Sequence, residues 1–358
     1  MKYAIIGCGR ISELHIFAAK KNGLEIVALC DLVYDKARTR AEQSGLANAK
    51  IYNDYKEMLK AEKPELVAVT TDSGAHAAVA IDALCAGCNV IIEKPMALDM
   101  ADARKICALA KETGLKVCAC HQNRFNKSIK QIRDAVEDGK FGKLLHGSAY
   151  VRWNRDDDYY SQADWRGKWK SDGGALMNQS IHDIDLLRWM MGPEIDEVYA
   201  YTDRLSHNKI EAEDFGAALV KFTNGSYGII EGTTNVYRED LEEKLVIFGT
   251  KGTAKAGGTS CNALEVWDIE GENRNREEVM KQALETPPNV YGFGHNSVYA
   301  DMIDSIANNR EPYITAKDGM DALELVLAIY LSAAENRPVK LPLGNISSSQ
   351  FNGRFDGK

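Results

Sequence analysis

From its first residue to about residue 121 the chain alternates two patterns. Short, almost continuously apolar runs, YAIIG (3–7), EIVALCD (25–31), LVAVTT (66–71), NVIIEK (89–94) and KVCACHQ (116–122), are separated by stretches of helical period beginning near Arg10, Asp35, Ala75 and Asp99. Runs of strand length joined by helices predict parallel strands with crossover connections. A sheet covered on both faces also explains why apolar residues run on instead of alternating with polar ones. Beyond about residue 144 the pattern changes: LLHGSAYVRW (144–153), IDEVYAYTDRL (195–205), DFGAALVKF (214–222), GSYGIIEGTTNVY (225–237), KLVIFGT (244–250), GTAKAG (252–257) and ALEVWDI (263–269) read as strands set off by Gly, Asn and Asp turns. That predicts an open antiparallel or mixed sheet. Between the first two of these strands, residues 175–191 repeat apolar positions at helical spacing and stop at Gly192-Pro193, which predicts one helix. The expected architecture is an α/β domain over 1–121 with a parallel doubly wound sheet, followed by an α+β domain over 122–358 with a large, mostly antiparallel open sheet. The stretch 270–290, rich in Glu, Asn, Arg and Pro, is expected to be a loop, either folding over a site or standing as a surface excursion.

Composition narrows the class of partner. The 358 residues exceed what one core usually holds, which agrees with two domains. A net charge of −8 argues against a nucleic-acid surface, and the partners expected are small molecules. The apolar run at the start is too short for a signal segment or membrane span, so a cytoplasmic address is expected. Eight cysteines without a secretory signal read as reduced thiols. Cys85 with Cys88 and Cys118 with Cys120 offer four sulfurs, but both pairs lie in or beside apolar runs, and no metal is expected there.

The first strand gives way to Gly7-Cys8-Gly9-Arg10-Ile11-Ser12 and then to a helical pattern. The first glycine permits a tight turn, the second lets backbone approach a pyrophosphate, and the helix N-terminus supplies N–H donors. Ser12 stands where a third glycine is usual, and a helix still packs closely over a serine. Asp31 closes the second strand, where a carboxylate accepts hydrogen bonds from ribose hydroxyls and repels a 2′-phosphate. NAD is therefore expected over NADP; Arg38, one helical turn or so beyond, is either a solvated helix residue or one that reaches a 2′-phosphate.

In a doubly wound sheet, ligands sit outside the carboxyl ends of the strands, and Thr70-Thr71, Glu93-Lys94 and His121-Gln122 all fall at such ends. Lys94 is then a cation at the rim where nicotinamide and substrate meet, and Pro95 fixes how the chain leaves. Further on, Asn178, His182 and Asp185 sit at i, i+4 and i+7, on one face of the expected helix, with Gly173-Gly174 just before them. Arg124, Arg152 and Arg155 are candidates to receive a substrate carboxylate or phosphate.

Together, Gly7-Cys8-Gly9, Glu93-Lys94-Pro95, the Gly-Gly…His…Asp helix, FGTKGTAKAGG (248–258) and DALELVLAIYLSAAENRPVKLPL (321–343) make the chain similar to the glucose-fructose oxidoreductase, inositol dehydrogenase and rhizopine-catabolism protein family, Gfo/Idh/MocA. The resemblance implies a Rossmann domain that binds NAD and a hydride transfer between a sugar hydroxyl carbon and nicotinamide, with Lys94 and His182 the catalytic pair. Many members carry Asp four residues before that histidine, where this chain has Asn178, so His182 carries more of the proton transfer. ALMNQSIH (175–182), HQNRFN (121–126) and DDYYSQADWRGKW (157–169) resemble the subgroup that oxidises nucleotide-linked sugar acids such as UDP-N-acetylglucosaminuronate at the 3-position. The same resemblance puts Trp165 and Arg166 over the cofactor and Gln122 near the nicotinamide. The full expectation is Gly7, Gly9, Arg10, Ile11, Asp31, Thr70, Thr71, His76, Glu93, Lys94, Gln122, Trp165 and Arg166 for NAD, and Asn178, Arg124 and Asp185 for substrate. A homo-dimer or homo-tetramer through the second sheet is expected, and a nucleotide-binding regulator without turnover is the alternative.

Overall fold

The computed structural model describes residues 1–192, 194–286 and 292–357, and the described chain divides into two compact units. The first comprises Met1–His121 with His295–Met320. Its sheet has six parallel strands in the order β3-β2-β1-β4-β5-β6. They are β1 (Lys2–Ile6), β2 (Glu25–Cys30), β3 (Lys50–Tyr52), β4 (Leu66–Val69), β5 (Asn89–Ile92) and β6 (Val117–Ala119), joined by α1 (Ser12–Lys21), α2 (Tyr34–Gln43), α3 (Tyr55–Glu62), α4 (His76–Cys85) and α5 (Met100–Thr113). Every residue of β4 is buried, as a strand covered on both faces requires. Neither β3 nor α3 shows in the pattern, because the three residues of β3 carry no periodicity of their own and α3 buries only Met58 and Leu59 of its eight. The order reverses between β1 and β4, which makes that boundary the switch point where such sheets take ligands.

The segment 295–320 departs from the sequence-based division at residue 121. Tyr299 and Tyr3 share a buried hydroxyl–hydroxyl hydrogen bond of 2.7 Å, and Lys116 pairs with Glu311 at 3.1 Å, so this late segment completes the core of the first unit.

The second unit comprises Gln122–Gly294 with Asp321–Lys358. Its eight strands run in the order β13-β12-β11-β7-β10-β9-β8-β14, with every pairing antiparallel except β7 with β10. The strands are β7 (Leu144–Arg152), β8 (Ile195–Asp203), β9 (Phe215–Phe222), β10 (Tyr227–Thr233), β11 (Glu242–Gly249), β12 (Gly252–Gly257), β13 (Ala263–Ile269) and the short β14 (Val339–Lys340). Its helices are α6 (Lys127–Glu137), α7 (Asp157–Ser161), α8 (Ala175–Asn178), α9 (Ile181–Met191) and α10 (Arg276–Gln282); α11 (Gly294–Ala307) belongs, but for its first residue, to the late segment of the first unit, and α12 (Ala316–Glu335) begins in that segment and continues into the second unit. Burial alternates along β9, the signature of a sheet packed on one face. The expected loop at 270–290 contains α10, and its last residues, 287–290, lie outside the described residues, as does Pro193. None of the eight cysteines is in a disulfide. Among the described residues no helix is long and apolar enough to cross a membrane.

Candidate active site

In the first unit Cys30, Ile6, Val69, Ile92 and Ala119 form one register row across the sheet. The residues that follow them, Asp31, Gly7, Thr70, Glu93 and Cys120, therefore leave along one edge. Gly7 has φ +98°, and a Cβ there would lie 2.5 Å from the Thr70 carbonyl, so only glycine lets the loop pass so close to β4. Gly9 has open space where its Cβ would be. The Ser12 hydroxyl donates to the Gly9 carbonyl at 2.6 Å, which ties the loop to the first turn of α1. Asp31 accepts the Cys8 N–H on Oδ2 at 2.8 Å and the Val33 N–H on Oδ1 at 2.9 Å. The Thr70 hydroxyl donates to the Gly7 carbonyl at 2.6 Å. Arg38 pairs with Asp35 on the surface of α2, whereas Arg40, which the sequence reading did not single out, reaches Glu13 at 3.1 Å and the Gly9 carbonyl at 3.3 Å.

Glu93 is buried at the end of β5 and accepts from the Lys94 N–H at 3.2 Å, from His15 Nε2 at 2.9 Å and from His295 Nε2 at 3.4 Å. Burial alone would raise its pKa, but the two imidazole donors overcome that and hold the carboxyl well below its ordinary range. Burial pushes His15 the other way, toward the neutral ring, whose Nδ1 meets the Tyr299 hydroxyl at 2.8 Å. His15, Glu93, Cys120 and His295 thus bring two imidazoles, a carboxylate and a thiol within 4.8 Å of one another. A single histidine in an apolar helix gave no sequence signal of this cluster.

In the second unit the expected single helix is two. The Ser180 N–H reaches back five residues to the Ala175 carbonyl at 2.9 Å, an extra residue in the turn that separates α8 from α9. Asn178 and His182 therefore do not share the face of one regular helix. Asn178 ends α8 and donates its amide to Asp172, whose other oxygen accepts the Gly167 N–H at 2.7 Å. His182 lies in the first turn of α9 with 8% of its surface exposed. Asp172 supplies a carboxylate beside Asn178, a neighbour that spacing along the chain did not reveal.

Arg124 and Asp185, expected at the substrate, are occupied with each other. Arg124 Nε and Nη2 reach the two Asp185 oxygens at 2.7 and 2.6 Å, both side chains are 1% exposed, and the guanidinium lies over Trp189. A buried bidentate pair of this kind braces α9; its charges are already matched. Arg152 is likewise held by Glu231 and Glu242, and Arg155 by Asp240, so neither stands ready for a substrate anion. Arg166 stacks over Tyr159 and Trp165, with ring centroids 4.2 and 4.7 Å away, and donates to the Tyr159 hydroxyl. Gln122 is buried beside Arg124 in sequence. Glu213, also missed, is fully buried and accepts the Leu176 N–H and the Tyr330 hydroxyl on one oxygen. A Cβ on Gly174 would sit 2.0 Å from its other oxygen, so that glycine is what admits the carboxyl under α8. Burial raises the Glu213 pKa to about 8.

Two family descriptions match the chain: an oxidoreductase family with an NAD-binding Rossmann fold over residues 1–121, and the GFO/IDH/MocA C-terminal domain over 129–255. The chain belongs to the Gfo/Idh/MocA oxidoreductases. As a member of that family it is an NAD-dependent oxidoreductase. Its relatives include the myo-inositol 2-dehydrogenase of Thermotoga maritima, 27% identical with 95% of this chain and 98% of the relative aligned. The D-glucoside 3-dehydrogenase of Escherichia coli is 30% identical over 76% of this chain and 80% of its own. The WlbA dehydrogenase of Bordetella pertussis, solved with NADH and UDP-GlcNAcA, superimposes with a TM-score of 0.87 at 33% identity, covering 96% of this chain and 98% of that one.

This Gfo/Idh/MocA chain fits the dinucleotide on its own geometry. The close pass at Gly7, the open space at Gly9 and the start of α1 leave room beside backbone N–H groups for a pyrophosphate, and a carboxylate, Asp31, directly follows β2.

Proposed function

We propose that this dehydrogenase oxidises a secondary hydroxyl of a nucleotide-linked uronic acid, with Lys94 and His182 as its catalytic pair. The observation that carries the reading is the end-to-end similarity, at 33% identity, to a dehydrogenase solved with NADH and UDP-GlcNAcA. The position of Lys94 just beyond β5, at the ligand-binding edge of the sheet, and of His182 in the first turn of α9 supports it. When bound, NAD accepts the hydride that leaves the carbinol carbon. The chain's own work is to manage the hydroxyl proton and the charge on oxygen. His182 takes the proton as the C–H bond breaks, since an imidazole titrates near neutrality. Lys94 donates to the same oxygen and stabilises the negative charge that develops there. Asn178, tethered by Asp172, orients the neighbouring hydroxyls. Asp31 and the Gly7–Ser12 loop hold the dinucleotide. The substrate gains a carbonyl and the solution a proton.

The open face of the eight-stranded sheet supports a homo-oligomer. Tyr199, Leu219 and Ile229 lie in one register row across β8, β9 and β10, and Leu219, Ile229, Tyr201 and Tyr227 are exposed. A contiguous apolar face of this kind is normally covered by another subunit.

The test of function is a substrate panel with NAD, read by nicotinamide absorbance: UDP-GlcNAcA, free uronates, neutral nucleotide sugars, inositols and neutral monosaccharides. UDP-GlcNAcA is expected to be turned over fastest. Oxidation of neutral monosaccharides or inositols at equal or greater kcat/KM would overturn the nucleotide-uronate reading.

A further inference from the structure

His76 opens α4, just after the loop that leaves β4. It is buried, and both ring nitrogens face main-chain carbonyls: Nδ1 is 2.8 Å from the Pro95 oxygen and Nε2 is 3.1 Å from the Thr71 oxygen. A carbonyl only accepts, so each contact needs an N–H on that nitrogen, and a neutral imidazole has one. The shorter contact assigns that proton to Nδ1. Pro95 directly follows Lys94, and Thr71 directly follows Thr70. One side chain thus ties the turn that carries Lys94 to the loop after β4.

We propose that His76 is a positioning residue for Lys94: its Nδ1–H, donated to the Pro95 carbonyl, fixes the direction in which the Lys94 side chain leaves the sheet. The other side of the turn is held independently. Glu93 accepts the Lys94 N–H and is itself gripped by His15 and His295. His15 faces the carboxylate through Nε2 and the Tyr299 hydroxyl, which can donate, through Nδ1, and His295 meets the carboxylate through Nε2 alone. Of the three histidines around this turn, His76 alone faces two acceptors. Burial, the largest influence, holds its pKa below the ordinary imidazole value, against the pull of the Pro95 carbonyl, Glu93, the Thr71 carbonyl and Asp72. Near neutrality the ring therefore carries one proton, and the Pro95 bond is the one it keeps. This assigns His76 a role different from the cofactor contact expected from the sequence: it acts through main-chain atoms.

The inference rests on Lys94 acting at the reacting oxygen, and the test separates the two. Asparagine places its amide N–H₂ where Nδ1 stood, and glutamine places its own where Nε2 stood. With NAD and the best sugar of the panel above, His76→Ala and His76→Gln are expected to lower kcat by about 10–100-fold, the scale of a misplaced catalytic group. The NAD Kd should stay within about threefold, and His76→Asn should recover most of the rate. Added to Lys94→Met, His76→Ala should have no further effect. Rescue by Gln instead of Asn, an Asn variant no better than Ala, or NAD affinity falling in step with kcat would each overturn the proposal. Circular dichroism confirms folding, and if the Ala variant fails to fold, the Asn–Gln comparison alone decides. Lys94→Met at the wild-type rate would remove the reading of Lys94 itself. A slow Lys94→Met beside a fast His76→Ala would remove only the role of His76.

Discussion

Asp31 accepts the Cys8 and Val33 N–H groups, so it shapes the glycine loop in addition to the dinucleotide contact proposed for it. Asp31→Ala is expected to weaken NAD by about tenfold or more, roughly 1.4 kcal/mol. NADP should lose less, because removing the negative charge also removes its repulsion of a 2′-phosphate. Asp31→Asn keeps one acceptor oxygen and should fall between. Fluorescence titration of both nucleotides checks this; equal losses would mean that Asp31 serves the loop and does not read the ribose. The Arg124–Asp185 pair teaches the complementary lesson at this scale. Residue type suggested substrate recognition, but two opposite charges buried together satisfy each other.

The helix pair α8–α9 shows how an element is set by what lies beneath it. The five-back bond at Ser180 offsets His182 from Asn178, and the start of α8 is seated on Glu213. Burial raises the Glu213 pKa from 4.5 to about 8, and burial with the nearby Asp185 raises Asp183 on α9 from 3.8 to about 7. A carboxyl whose folded pKa lies above its unfolded one is protonated in the fold over that interval, where the unfolded chain has already lost the proton. Its contribution to stability is complete below the unfolded pKa and is lost as pH rises through the folded one. The thermal midpoint is therefore expected to fall as pH rises from about 4 to about 8 from these two groups. Glu213→Gln should flatten part of that slope, because an amide keeps the acceptor oxygen for Leu176 and Tyr330 without titrating. Calorimetry across this range checks it, and an unchanged slope in the variant would show that Glu213 does not titrate there.

At the scale of the whole molecule, the row formed by half-buried Tyr199 with exposed Leu219 and Ile229 is expected to be covered by another copy of the chain. The double variant Leu219→Asp, Ile229→Asp should shift sedimentation velocity toward the monomer while leaving each unit folded, since both side chains lie on the exposed face of the sheet and outside the core. A wild-type chain that sediments as a monomer at micromolar concentration would dispose of the idea before any variant is made.

The sequence by itself determined the two sheets, their parallel and mostly antiparallel characters, and the glycine loop with Asp31 after it, because these follow from local periodicity and from residues close along the chain. Lys94 and His182 are singled out by resemblance to the Glu-Lys-Pro and Gly-Gly…His…Asp motifs of the family, and their roles remain proposals. Only the tertiary structure decided the rest. The pairing of Arg124 with Asp185, of Glu93 with His15 and His295, and of Glu213 with Tyr330 joins residues at least 61 positions apart, which no local pattern encodes. Segment 295–320 joined the first unit for the same reason, since Tyr299 finds Tyr3 only in space. The break between α8 and α9 was invisible because apolar spacing cannot register one added residue in a turn. Whether a charged side chain is available to a ligand depends on what lies within a few ångströms of it, and that is settled by packing.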